Sequence, residues 1–332
     1  MKLFLAKKLF KKMFFPEDAA NRFADMNYNP NKITVLRNLP YLALKSKQFK
    51  RSYIRDYNAA RIANNQLNSI DAPIIELLIC STRKDFAYLE NVVNSALKYS
   101  RNEISNVTII VPAGDMMQCR ALFSKVSKSI SVLNEDLLLP ADLRIKLRAL
   151  FPTRYGWVLQ QLLILNHVLN SKSKGVLQVD SDTILTSYVT WIDKDFRQIL
   201  YPTAHYHTPY YKTLNLLIPN LCNGKMAFVS HHMLFQPSIC KEIFQILKFE
   251  NVADLFERVI EMTKTDNDSP FCLEYELYAQ FIFKFYNHKV VLSRFCNYSF
   301  SVSNGKNHLK EVNKILESSP QKYKSISFHH YS

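Results

Sequence analysis

From Pro73 onward, short apolar runs alternate with longer stretches whose apolar positions recur at helical spacing. The run Ile74–Cys80 (IIELLIC) predicts a buried strand, Phe86–Tyr99 a helix, and Val107–Val111 (VTIIV) a second strand closed by Pro112–Gly114. A further helix-like stretch leads to a third strand at Ser129–Leu133. Trp157–Leu169 reads as a long apolar helix, followed by a Ser/Lys/Gly turn at 171–175 and a strand at Val176–Val179. Strands alternating with helices predict an α/β fold, a three-layer sandwich around a mostly parallel central sheet. Residues 16–72 are polar and punctuated by Pro16, Pro30 and Pro40, so 1–72 reads as a helical extension to a main domain at 73–332.

With 332 residues, 48% of them hydrophobic, the chain can bury a sizeable core, which excludes global disorder. Its five glycines are too scattered for a GxGxxG fingerprint or a Walker A loop. No uninterrupted apolar run reaches about 18 residues, which argues against a spanning helix. Six cysteines without a CxxC pair fit reduced thiols and a cytoplasmic location better than a disulfide framework.

Charge separates the two parts of the chain. Residues 1–70 hold nine lysines and five arginines against four acids, so most of the net charge of +15 is N-terminal. In MKLFLAKKLFKKMFF, a helix would place Leu3, Ala6, Phe10, Met13 and Phe14 on one face, and Lys7, Lys8, Lys11 and Lys12 mostly on the other. That pattern fits an interfacial helix drawn peripherally to an anionic membrane surface, on the inner face of an inner membrane. It equally fits a terminal helix docked on the domain with solvated lysines. No RNA- or DNA-binding module follows, so nucleic acid is not an expected partner.

Three Asp-x-Asp pairs occur, at Asp180–Asp182, Asp193–Asp195 and Asp266–Asp268. Only Asp180-Ser181-Asp182 directly follows an apolar strand, at the carboxyl edge of the sheet where open α/β folds bind ligands. Carboxylates two residues apart on extended chain project to the same side and can hold a divalent cation against diphosphate oxygens. The other two pairs lie in polar, turn-like stretches and read as loop or capping aspartates.

The segments GWVLQQLLIL, VLQVDSDTIL, SHHMLF and EYELY resemble a bacterial family of GT-A-type glycosyltransferases associated with surface-polysaccharide loci, over roughly residues 74–300. The resemblance implies a GT-A-like fold with a nucleotide half at about 73–185 and an acceptor half at about 186–332. It also implies a nucleotide-sugar donor, UDP-linked in the first instance, a glycan or lipid-linked acceptor, and Mn²⁺ or Mg²⁺. Carried onto this chain, Thr82, Arg83 and Asp85 follow the first strand where the nucleoside pocket forms, although Asp85 is equally placed to cap the next helix. Arg154 and Gln161 open the helix before the DSD strand and are further donor-binding candidates, with Asp180 and Ser181. His231 and His232 join them, but adjacent strand residues point to opposite faces, so at most one enters a cleft. Asp180 and Asp182 are the implied metal ligands, with His329 as a candidate third, although His329 and His330 also read as part of an unstructured tail. Glu274 and Glu276 precede an apolar helix, LYAQFIFKFY, at a place where inverting enzymes of this type keep their general base; one of the two is expected to fill that role.

Two other functions fit parts of the chain. A sugar nucleotidyltransferase uses a related fold and metal, but the CSTRKD loop lacks the glycine such enzymes carry after the first strand. A non-catalytic membrane-binding protein would use the basic terminus alone and leave the DSD, histidine and EYE segments without a role.

Overall fold

The computed structural model describes residues 67, 69–124, 129–203, 207–222, 226–263, 271–293, 297–301 and 323–329. The amphipathic segment 1–15, the basic extension up to 66 and the pair Asp266–Asp268 lie outside the described residues.

The elements follow in the order β1 (Ile75–Cys80), α1 (Phe86–Tyr99), β2 (Ile104–Val111), α2 (Met116–Leu122), β3 (Ile130–Asn134), α3 (Ala141–Leu150), α4 (Tyr155–Asn170) and β4 (Val176–Val179). Beyond these come β5 (Thr183–Leu185), β6 (Gln198–Leu200), α5 (Thr208–Leu217), β7 (His232–Phe235), α6 (Pro237–Leu247) and α7 (Val252–Thr263). A π-type turn at Leu273–Leu277 leads into α8 (Tyr278–Phe285), and β8 (Val290–Leu292), β9 (Asn297–Ser301) and β10 (Ser325–His329) complete the order.

The central sheet has the order β3-β2-β1-β4-β7. Its first four strands are parallel, and β7 runs antiparallel to β4 with Val179 opposite His232. The expected α/β architecture with a mostly parallel sheet is what the chain adopts. Alternation along the strands builds a core on each face: Ile75, Leu77 and Ile79 pack with α1, while Leu78 packs with the helices of the opposite layer. On that second face the buried Glu76 meets His167 of α4, Oε1 to Nε2 at 3.2 Å. Gly175 enters β4 where a side chain has no room: an added Cβ would lie 2.9 Å from Leu234 Cδ1 and 3.1 Å from Ile75 Cγ2.

Two features place the site. The chain leaves β1 for β2 on one side, while β4 sits on the other, so a crevice opens between the carboxyl ends of β1 and β4. A small sheet, β5-β10-β9, packs against α1, with Phe328 stacked on Tyr88: β10 pairs antiparallel with β5, with Ser327 opposite Thr183, which brings His329 back beside Asp182. No helix among the described residues is long and apolar enough to cross a membrane. The five cysteines among them are free thiols.

Candidate active site

At the carboxyl end of β4 the chain turns sharply, with the Thr183 amide donating to the Asp180 carbonyl at 3.0 Å. The backbone of Asp180 is pinned to the neighbouring strand, its amide donating to the His231 carbonyl at 2.8 Å. Its side chain is held from several sides. Asp180 Oδ1 accepts from Gln178 Nε2 at 3.0 Å and from the Tyr275 hydroxyl at 3.3 Å, and Oδ2 lies 3.2 Å from His231 Nδ1. Asp182 is less encumbered: Thr183 Oγ1 donates to its Oδ1 at 3.2 Å, and its Oδ2 lies 3.5 Å from His329 Nδ1.

Asp180, Asp182 and His231 each present a ligand atom within 4.8 Å of the others, half-buried at the cleft. Two carboxylates and one imidazole form a hard to borderline donor set that suits Mn²⁺ or Mg²⁺. The three residues fit a divalent cation and would hold it by these atoms. His329 flanks the set, its ring centroid 5.0 Å from that of His231. The sequence offered His329 as the third ligand; the tighter group contains His231.

The cleft around this cluster has a volume of about 240 Å³. Its walls come from the ends of β1 and β4 (Lys84, Asp85, Ser181), from α4 (Trp157, Gln160), and from the Cys272–Tyr275 segment. Asp85 is buried and accepts from Ser181 Oγ at 2.7 Å, linking the ends of the two strands across the switch point. It also stands at the N-cap position of α1, but its side chain makes no capping bond there.

The two glutamates separate. Glu274 is 3% exposed and lines the cleft beside Tyr275. Burial pushes its carboxyl up to about 8, and the charge of Asp180 adds to the rise. Glu276 does not reach the cleft. It is fully buried, and its Oε1 accepts from the Tyr211 hydroxyl at 3.0 Å, the Phe228 amide at 2.7 Å and the Val229 amide at 3.2 Å, while Oε2 accepts from Gln280 Nε2 at 3.0 Å. Four donors hold its two oxygens away from the cleft, so Glu276 is a post tying the Phe228–Val229 segment to α8 rather than a base. Removing one member of a buried charged network leaves its donors unsatisfied. Glu276→Ala is therefore expected to lower stability by about 3 kcal/mol in urea unfolding, whereas Glu274→Gln leaves the transition cooperative.

Several expected site residues lie elsewhere. Gln161 is fully buried, with Oε1 accepting from the Leu273 amide at 2.8 Å, so it braces the π-type turn and its neighbour Gln160 faces the cleft. His232 points to the opposite core, with its ring centroid 5.3 Å from both Trp191 and Tyr201. Thr82 and Arg83 are exposed and outside the cleft lining, with Arg83 Nε pairing with Asp115 Oδ1 at 3.1 Å. Arg154 lies over the Trp157 ring at 4.3 Å and is outside the cleft lining.

Gln178 and Tyr275 were not read as site residues. The Tyr275 hydroxyl shares its one proton between Gln178 Oε1 and Asp180 Oδ1, and Gln178 Nε2 donates to the same Oδ1, so the pair fixes the carboxylate's orientation. The available signal was a glutamine inside the apolar run VLQV, two residues before Asp180 and hence on the same strand face.

The second Asp-x-Asp pair has a structural role. Asp193 Oδ1 accepts from the amides of Asp195 and Arg197 at 3.0 and 2.9 Å, and Oδ2 accepts from Arg197 Nε at 2.8 Å. Asp195 is exposed.

No protein-family model matches the chain, and no curated protein is a significant match. Among solved structures, the chain is similar to mouse xyloside xylosyltransferase 1 in its apo form, at 13% identity and TM-score 0.38, over 76% of this chain and 97% of that one. It is also similar to the galactosyltransferase LgtC in complex with donor and acceptor sugar analogues, at 10% identity and TM-score 0.44, over 77% of this chain and 87% of that one. An active-site variant of LgtC gives TM-score 0.46 at 10% identity, over 77% and 88% of the two chains. Likeness at this level transfers neither donor nor acceptor, and the chemistry assigned to this chain stands on its own cleft.

Proposed function

We propose that this protein is a metal-dependent, GT-A-like glycosyltransferase that moves a sugar from a nucleotide-sugar donor, UDP-linked in the first instance, to a surface-glycan or lipid-linked acceptor. The observation that carries this reading is one cleft, at the switch point of a mostly parallel sheet, that contains both the Asp180–Asp182–His231 cluster and the buried carboxyl of Glu274. A cation bound by that cluster would supply the positive charge that a departing nucleoside diphosphate requires. Lys84 adds a positive side chain on the same rim, where a phosphate oxygen can accept from it. Asp85, fixed by Ser181, offers an acceptor for nucleoside hydroxyl or base N–H groups. Glu274 in its carboxylate form takes the proton of the acceptor hydroxyl, which implies inversion at the transferred carbon. The basic segment 1–15 is proposed to keep the enzyme at an anionic membrane, where lipid-linked acceptors are held.

The decisive test is release of free nucleotide from UDP-, GDP-, CMP- and TDP-sugars with and without Mn²⁺. Cation-dependent release from one donor class, abolished by chelation, is the expected result. Pyrophosphate release from a nucleoside triphosphate and a sugar phosphate would instead identify a nucleotidyltransferase. Neither activity would identify a binding protein.

A further inference from the structure

A second concavity lies at the opposite end of the β4–β7 pair from the cleft, and the two share no lining residue. It has a volume of about 460 Å³ and is bounded by the loop Ser171–Lys174, the first turn of α6, and the segment from the end of α8 to Lys289. Lys172, Lys174, Lys241 and Lys289 line it, and no acidic side chain does. Among the described residues none of these four lysines forms an ion pair, whereas Lys146 on the surface pairs with Glu257. The lining thus carries four positive side chains and no negative one around one concavity.

The frame around the lysines is braced. Ser173 Oγ donates to the Gly175 carbonyl at 2.9 Å and its amide donates to Ser171 Oγ at 3.0 Å, which holds the loop carrying Lys172 and Lys174. The first turn of the eleven-residue α6 adds its positive end through Ser238, since Pro237 carries no N–H, and Gln236 makes no side-chain cap. Phe196, Ile239, Ile282 and Tyr286 supply an apolar wall. Phe196 has a left-handed backbone (φ 58°), and its amide donates to the carbonyl of Asp193, the residue whose carboxylate organises that loop.

We propose that this basic pocket is a second binding site, for a phosphate-bearing ligand whose attached body rests on the apolar wall. The lysines supply charge-assisted bonds to the phosphate oxygens, and the wall gives room that a bare anion would not fill. The same phosphate chemistry is carried by a soluble phosphorylated metabolite and by an anionic lipid headgroup.

The test uses the full chain with a chelator present, so that no cation at Asp180 and Asp182 recruits the anion. Calorimetric titration with inorganic pyrophosphate is expected to show saturable binding that weakens at least about tenfold in Lys172→Glu/Lys241→Glu and is unchanged in Asp182→Ala. Both lysines are exposed, so the reversal leaves the core intact. Co-sedimentation with phosphatidylglycerol-containing vesicles separates the sources. Because segment 1–15 can itself hold the protein on vesicles, the readout is pyrophosphate carried down with the vesicle-bound wild type: its loss relative to protein in solution assigns the site to a lipid headgroup, and its retention assigns it to a soluble ligand. Absence of saturable pyrophosphate binding in the wild type, or equal binding by wild type and double variant, overturns the proposal.

Discussion

Asp182→Ala is expected to reduce transfer by about 10³-fold and to remove the cation dependence of donor binding, while Asp195→Ala leaves both unchanged. Asp182 is the cleaner of the two cluster carboxylates to remove. Asp180 also receives Gln178, Tyr275 and His231, so its loss disturbs the end of β4 and the π-type turn together. Asp182 is bound by Thr183 and lies near His329, and its truncation takes away one ligand with little of the scaffold. Asp195 is exposed and contributes only its backbone amide to the Asp193 turn, which alanine preserves. Nucleotide release at saturating donor, and donor titrations with and without manganese, report the two effects separately. Equal loss from both variants would show that position at the strand end does not distinguish the two motifs.

The motif at β4 was legible because its signals are local: an apolar run short enough for a strand, ended by acids at a carboxyl edge. The buried strands β1 and β2 were legible for the same reason. The face of α4 was not. Its residues 158 to 165 are apolar apart from Gln160 and Gln161, so nothing in the periodicity says which glutamine meets solvent and which meets the core. The π-type turn decides it, because the Leu273 amide needs an acceptor and Gln161 provides one. The same turn separates Glu274 from Glu276. Regular helical geometry predicts that they diverge, but which one is tied into the core network depends on Tyr211, Phe228 and Val229, residues distant in sequence. His329 illustrates the remaining gap. A histidine near the end of a chain reads as easily as part of a tail, and only the pairing of β10 with β5, across well over a hundred residues of chain, carries it to Asp182.

Glu274→Gln is expected to lower turnover by about 10²-fold or more with donor affinity preserved, since the amide keeps the shape and loses the basicity. The pH dependence carries an independent signature. Only the carboxylate can accept a proton, so the wild-type rate should rise with pH. Burial and the charge of Asp180 place the carboxyl at about 8. A cation on Asp180 cancels that charge, so in the working enzyme the inflection lies below about 8 and above the usual carboxylate range. The variant should show no such inflection. Stability runs the opposite way. A group raised in the folded state contributes fully below its unfolded value near 4.5, and this contribution is lost as pH climbs through about 8. Metal-free wild type should therefore lose thermal stability relative to Glu274→Gln between pH 5 and about pH 9, because ionising the buried carboxyl strains only the wild type. A product whose anomeric configuration matches the donor would remove the general-base role while leaving this stability difference in place. A wild type and variant with parallel stability profiles would show that Glu274 is not enclosed as the cleft geometry requires.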